Sequence, residues 1–432
     1  MPNPLRVIAG GDPLYSSFVN HFADDVSGNR SKSWNKHYNA YMTHASLPRN
    51  LLQQEAHVHF ISTSPHASAP EQFHAFKQVV ESTHSHPVPV IDALTGKAAR
   101  FCIFVNAEPS DNPMQSEISG HIGGNGNLLC RKCKVGGTTL YKESDDGFHA
   151  LFMPGEERDR DEVLSEVKAQ LHLACLGVAS HVKKRQTEHG VKDAYTQYWI
   201  DDLLTRAREA KKINPARSDI EIQQELIQWV DTHTDQIYNP FFTLRELDPT
   251  KDTPIEVLHT ILLGVVKYAW HQMHTSWSDT QKTMYAQRLQ AMNTDNLSTL
   301  SICAQYIMQY VNSLIGRQLK TVIQATAFHT HGMLPELKYH LWLAVGELTA
   351  LLRFPEIRNE VEYKLDLETA IANVLDIFAE IDPTKIMEKM KLHILVHAPE
   401  DVARFGPLIG MSTETFESFN AIFRNASIYS NH

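Results

Sequence analysis

The first quarter of the chain is patterned as short strands around one helix. Runs of β-branched and aromatic residues predict strands at residues 15–23, 38–43, 57–62 and 100–105. The last run is almost wholly apolar, which is typical of a strand buried on both faces. Residues 69–83 instead repeat apolar positions every three or four residues, the spacing of an amphipathic helix. Strands interrupted by a helix predict an α/β core.

Helical spacing dominates the rest of the chain, after a glycine-rich loop at residues 114–150. The predicted helices share apolar repeats of three and four residues between prolines, and they cover residues 159–178, 193–211, 219–232, 253–274, 278–292, 299–315, 337–352 and 365–380. A final helix is predicted after Ser412-Thr413, which resembles an N-cap followed by first-turn acids. The pattern divides the chain into four parts, residues 1–113, 114–155, 156–400 and 401–432.

Composition narrows the class of protein. The 432 residues are 42% hydrophobic and 21% charged, values of a globular chain that exclude a disordered, collagenous or coiled-coil protein. No apolar run of about 18 residues predicts a membrane span, and the first residues lack the apolar core of a signal peptide, so we expect an intracellular protein without membrane contact. The five cysteines do not indicate a disulfide framework.

The net charge of the chain does not exclude binding to nucleic acid. The formal net charge of −10 argues against a protein whose whole surface binds nucleic acid, but it is compatible with a local basic groove. Basic residues at 183–185, 206–212 and 217 fall in the helical part of the chain. They form either solvated helix faces or a surface that contacts phosphates.

Acidic residues follow two of the apolar runs and open the last helix. Asp24 and Asp25 come after the first run, and Asp111 comes after the last. Such acids either cap polar turns or hold a divalent cation such as Mg²⁺. Because side chains alternate along a strand, only one of Asp24 and Asp25 can be the main ligand. Glu414 and Glu417 are acids of a type that ordinarily caps a helix.

A C-x₂-C sequence lies in the glycine-rich loop. Cys130 and Cys133 supply half of a four-ligand zinc site, and His121, His149 and His259 are candidates for the other ligands. A redox dithiol would follow a strand and precede a helix, whereas glycines surround this pair. The sequence therefore favours a structural zinc site, with free thiols as the alternative.

Several short motifs follow one another in a fixed order over nearly the whole chain. They include Asp24-Asp25-Val26-Ser27-Gly28-Asn29 and Asp111-Asn112-Pro113-Met114, and in all they lie at residues 24–29, 33–37, 41–49, 64–67, 111–117, 121–127, 130–133, 253–259, 263–268, 404–408 and 414–420. In this order they resemble the transposase domain of fungal Plavaka elements. That domain is related to the Kyakuja–Dileera–Zisupton and CACTA groups of cut-and-paste transposases.

The resemblance implies an RNase H-like mixed-sheet core with a D-D-E carboxylate triad. The first Asp falls on Asp24, with Asp25 as the alternative, and the second falls on Asp111. The Glu falls on Glu417, with Glu414 as the alternative. Such a triad holds two Mg²⁺ or Mn²⁺ ions and cuts and joins strands of double-stranded DNA. Nuclear localisation and a homo-oligomer are further expectations from the family.

The resemblance also implies two insertions. Related families carry a C-x₂-C and a Met/Leu-His pair between the second Asp and the Glu, here Cys130/Cys133 and Leu258-His259. The spacing of 306 positions from Asp111 to Glu417 implies a large helical insertion. Since the chain begins close to the first strand and ends near the catalytic helix, we expect a fragment that keeps the fold but need not keep transposition activity.

Two other function classes compete with this interpretation. One is a domesticated DNA- or protein-binding module that keeps the zinc loop and the helical lobe but has no catalytic activity. The other is a zinc hydrolase that uses the 24 histidines, but the chain has no H-E-x-x-H sequence. Loss of metal-dependent chemistry on changing Asp111 would separate the transposase from the binding module.

Overall fold

A mixed five-stranded sheet organises the first part of the chain. The computed structural model describes residues 4–27, 36–295 and 301–429. The strands are β1 (Leu14–Ser27), β2 (Lys36–His44), β3 (His59–Ser64), β4 (Val88–Ile91) and β5 (Ala98–Ala107). Their order in the sheet is β3-β2-β1-β5-β4. Strands β1 and β5 pair in parallel, and the other neighbouring pairs are antiparallel.

The sheet confirms the predicted strands and adds one. Strand β1 runs past residue 23 to Ser27, so Asp24 and Asp25 lie within the strand rather than after it. Strand β4 was not predicted because Pro89 interrupts it, but β4 is an edge strand, where proline is tolerated. A mixed sheet with many helices agrees with the α/β expectation. The motif residues Gly28, Asn29, Ser33, Trp34 and Asn35 lie outside the described residues.

Helix α1 (Ala69–Ser85) packs on the sheet beside its central strand. Its first turn is capped by Glu71, whose carboxylate accepts a hydrogen bond from the Ser68 backbone N–H at 2.7 Å. Phe73 is fully buried and belongs to one apolar cluster with Val19 of β1. Burying a side chain of this size stabilises the fold by roughly 1.5–3 kcal/mol.

Two more helices meet the central strands. Helix α2 (Asn112–Ile118) begins shortly after β5, and helix α3 (Glu414–Tyr429) comes from the other end of the chain. The Phe416 ring of α3 stacks on Phe22 of β1, with centroids 4.7 Å and planes 7° apart. This stacking places the first turn of α3 against the strand that carries Asp24.

Contacts divide the chain into two compact units. The first comprises Met1–Lys134, Glu156–Pro254 and Thr413–His432, and it contains the sheet. Besides α1, α2 and α3, its helices are Leu5–Ile8, Arg49–Leu52, Glu55–His57, Arg160–Ala174, Ala179–His189, Ala194–Ile213, Asp219–Thr232, Thr234–Ile237 and Pro240–Thr243.

The second unit comprises Val135–Gly155 and Ile255–Ser412. Its helices are Thr139–Lys142, Asp145–His149, Ala150–Phe152, Val257–Val266, Lys267–His274, Asp279–Gln290, Ala304–Gln309, Gly316–Thr330, Glu336–Leu351, Glu360–Ile381, Pro383–Glu388, Met390–His393, Ile394–His397, Ala398–Phe405 and Leu408–Met411. Over the described parts of the chain, no helix has the length and apolar character needed to cross a membrane.

Candidate functional site

Asp24 lies on the central strand of the sheet, opposite Asn39 of β2. The neighbouring Phe22 and Ala23 are buried, while Asp24 itself is half-buried and Asp25 is exposed. One oxygen of Asp24, Oδ1, accepts a hydrogen bond from the Asp25 backbone N–H at 2.8 Å. The alternation along β1 therefore turns Asp24, and not Asp25, toward partly buried surroundings.

Asp111 caps the helix that follows β5. Its Oδ1 accepts a hydrogen bond from the Met114 backbone N–H at 2.8 Å, so the side chain is the N-cap of α2. The turn interpretation and the ligand interpretation of Asp111 are compatible, because a carboxylate has about four lone-pair positions and this cap occupies one. Asp111 is half-buried, as Asp24 is.

After a register shift between Val19 and Asn20, residues of β1 lie opposite residues that are 87 positions later in the chain. The last backbone pair between the two strands joins Asn20 to Ala107. Beyond it, side chains continue the register: His21 Nδ1 lies 2.6 Å from Glu108 Oε2, and the Ser110 hydroxyl donates to the Ala23 carbonyl at 3.1 Å. The same offset of 87 separates Asp24 from Asp111. The two acids are thus placed side by side by the strand register.

Helix α3 brings the third acid to this edge. Glu417 is half-buried and follows Phe416, whose ring is stacked on Phe22. One turn later, Asn420 donates a hydrogen bond from Nδ2 to Asp24 Oδ2 at 3.2 Å. Residues three apart on a helix share a face, so Glu417 lies on the side of α3 that meets Asp24.

Electrostatics links the same three acids. Burial raises the pKa of Asp24 well above its usual value, and the charges of Glu417, Asp111 and Asp25 raise it further, in that order. Burial also raises the pKa of Tyr41, and the charges of Asp24 and Glu417 contribute to that shift. Acids whose charges raise the pKa of Asp24 attract cations, because a divalent ion relieves the repulsion at this carboxylate.

The acids form an open group. Among the residues that the structure describes, Asp24, Asp111 and Glu417 are not all within 4.8 Å of one another at their carboxylate oxygens. Like charges without a cation repel one another. A two-ion centre, in which the ions are roughly 3.5–4 Å apart, needs ligands distributed around both ions. Among the described residues, these three acids do not by themselves enclose a cation.

A second group consists of two cysteines and two histidines. Cys130, Cys133, His393 and His397 are all buried, and one ligand atom of each lies within 4.8 Å of the others. Two thiolates and two imidazoles are a common donor set for structural zinc. The His393 ring Nδ1 lies 2.9 Å from the Leu151 carbonyl oxygen. This contact fixes the orientation of the ring, so Nε2 is the ring nitrogen that is available to a metal. These four side chains can bind a metal such as zinc.

The three histidines proposed from the sequence are not in that group, and each has another partner. His121 is buried with Nε2 2.8 Å from a backbone carbonyl, and burial lowers its pKa to about 4. His149 is exposed, with Nδ1 2.7 Å from a carbonyl of its own helix. His259 has Nδ1 3.0 Å from the Glu256 carboxylate. The signal that indicates the other two ligands is the spacing His393-x₃-His397, which the sequence interpretation overlooked.

The basic segments singled out in the sequence are largely paired with acids. Arg185 pairs at 2.8 Å with Glu166, which is buried, and the other ion pairs lie at exposed or half-exposed positions: Arg206–Asp202 at 2.7 Å, Lys211–Asp219 at 2.9 Å and Arg217–Glu225. Pairs of this kind contribute little to stability, about 0–1 kcal/mol. These ion pairs favour the interpretation of the basic segments as solvated helix faces over their interpretation as a surface that contacts phosphates.

Comparison with known proteins adds no relative. No protein-family model matches the chain, and no curated protein matches it significantly. The functional assignment therefore depends on the two groups of side chains described above.

Proposed function

We propose that this chain is a transposase-type domain that cuts and joins DNA strands by metal-dependent phosphoryl transfer. The observation that carries the proposal is the approach of Asp24, Asp111 and Glu417 from a central strand, a helix N-cap and a helix of the other chain end. The order and spacing of these acids are those of the D-D-E triad that the sequence resemblance implies.

In this proposal each acid has a distinct role. Two divalent cations at the triad would activate the attacking oxygen and stabilise the leaving oxygen of an in-line displacement at phosphorus. Asp24 would be one of the ligands that hold these cations. Asp111 would keep its helix cap while it offers its remaining lone pairs, and Glu417 would close the site from α3.

The topology supports an RNase H-like core as the scaffold. Three strands joined by antiparallel pairing, β1 to β3, are followed by α1, by the short edge strand β4 and then by β5, which pairs in parallel with β1 and antiparallel with β4. The Cys130, Cys133, His393 and His397 group would then be a structural zinc site. Double-stranded DNA as the partner, a homo-oligomer and a nuclear location belong to the same proposal.

Nicking of supercoiled plasmid DNA by the purified chain tests the proposal. We expect nicking with Mn²⁺ or Mg²⁺ and none with EDTA. Asp111→Asn keeps the N-cap, since asparagine caps as well as aspartate, but it removes a charged ligand. We expect this variant to lose activity more than about 100-fold, because residues that only orient metal ligands already contribute 10–100-fold.

The control is Glu81→Gln, which changes an exposed acid on α1. It should nick as the wild type does. Metal-dependent nicking that persists in Asp111→Asn would refute the role of the triad. DNA binding without any nicking by the wild-type chain would instead favour the non-catalytic binding module.

A further inference from the structure

We infer that Asn420 is a positioning residue that fixes the Asp24 carboxylate for cation binding. The inference rests on the proposed function and adds a residue to its site. Asn420 is 2% exposed, and its Nδ2 donates to Asp24 Oδ2 at 3.2 Å. Its other amide atom, Oδ1, is buried without a hydrogen-bond partner. A buried amide whose oxygen has no hydrogen-bond partner lowers the stability of the fold. The presence of Asn420 at this buried position therefore points to a role at Asp24.

The position of Asn420 follows from how α3 is held. Phe416 stacks on Phe22, and Phe419 packs edge-on against the Tyr41 ring with centroids 5.1 Å apart. The two contacts fix both the distance and the rotation of the helix relative to β1 and β2. Asn420 then reaches Asp24 with little freedom of its own.

Together, two donors hold the Asp24 carboxylate. The Asp25 backbone N–H donates to Oδ1 at 2.8 Å, and Asn420 donates to Oδ2 at 3.2 Å. Each oxygen therefore has one hydrogen bond, which sets the plane of the carboxylate and leaves a lone pair on each oxygen for a cation. Asn420 also ties the strand that carries Asp24 to the helix that carries Glu417, so that two of the three acids keep a fixed separation.

Calorimetric titration of the full chain with Mn²⁺ tests the inference, because it needs no turnover. Substituting groups that orient metal ligands lowers metal affinity by 10–100-fold. We therefore expect Asn420→Ala to weaken Mn²⁺ binding about 10-fold or more. Asn420→Leu keeps the approximate size but has no donor and no metal ligand, so it should weaken Mn²⁺ binding as Asn420→Ala does. Ser418→Ala, at an exposed position of the same helix, is the matched control and should bind as the wild type does.

The outcomes separate the two proposals. If the wild type does not bind Mn²⁺ at the triad, as judged by an unchanged titration in Asp111→Asn, the proposed function fails. If the wild type binds and Asn420→Ala binds equally well, the positioning role is refuted while the triad remains. If Asn420→Ala does not fold, the folded Asn420→Leu variant decides: normal Mn²⁺ affinity in it overturns the role of the donor.

Discussion

Replacing Phe416 by alanine should release helix α3 from the sheet. Phe416 is 4% exposed, so nearly its whole side chain is lost from a buried setting. A buried phenylalanine covers about 150–250 Å², which at about 25 cal/mol per Å² corresponds to roughly 4–6 kcal/mol as an upper bound. Core Phe→Ala changes cost about 3–5 kcal/mol. An isolated helix of this length is marginal in water, so we expect α3 to undock locally.

Hydrogen exchange followed by mass spectrometry measures this opening directly. A loss of about 3–5 kcal/mol raises the opening equilibrium roughly 10²- to 10⁴-fold, at 1.4 kcal/mol per tenfold. Peptides from Glu414–Tyr429 should exchange correspondingly faster, while peptides from α1 should not change. Phe416→Leu, which keeps most of the volume, is the control and should cost less than about 1.5 kcal/mol. Unchanged protection of α3 in Phe416→Ala would refute the anchoring role of the Phe22 stack.

Two further predictions concern the charged and the metal-binding groups. Because the raised pKa of Asp24 favours its protonated form in the folded state, its contribution to stability in EDTA is lost as the pH rises from about 3.8 through the folded value. Asp24→Asn should therefore match the wild type in urea unfolding at pH 3.5 and be more stable at pH 7, by about 1.4 kcal/mol per unit of pKa shift; equal stability at pH 7 would contradict this. For the second group, we expect elemental analysis to find about one zinc per chain, lost in His397→Ala and kept in His149→Ala; zinc retained in His397→Ala would exclude that ligand.

Local patterns predicted most of the longer elements and, for some of them, the ends as well. The helix predicted at residues 219–232 is Asp219–Thr232 in the structure. Strand β1 was expected to end before Asp24 because acids are rare in strands. It continues because β2 pairs with it as far as Ser27. Pairing across a sheet depends on distant residues, so a window along the chain cannot detect it.

The candidate site also depends on distant residues, so the sequence predicted only part of it. Asp24, Asp111 and Glu417 were proposed from the order of motifs, and Cys130 with Cys133 from their spacing. Asn420 ends one of the motifs that carry the resemblance, but it has no titratable group, so the sequence did not indicate a role at Asp24. His393 and His397 lie some 260 residues after the cysteines, a separation over which only the folded chain can bring ligands together.

Asp111 reaches its place beside β1 only if the segment after β5 keeps its register with that strand. For the candidate site, the length of this segment is therefore as important as the identity of its residues. Asn20 pairs with Ala107, and the contacts at Glu108 and Ser110 keep that register up to Asp111. Deleting or inserting one residue between 107 and 111 would leave every acid in the sequence, yet Asp111 would no longer lie beside Asp24. A homologous chain that has both acids but a different count here would therefore have to build its site another way. We therefore expect a one-residue gap in this segment to disrupt the site even where all three acids are present.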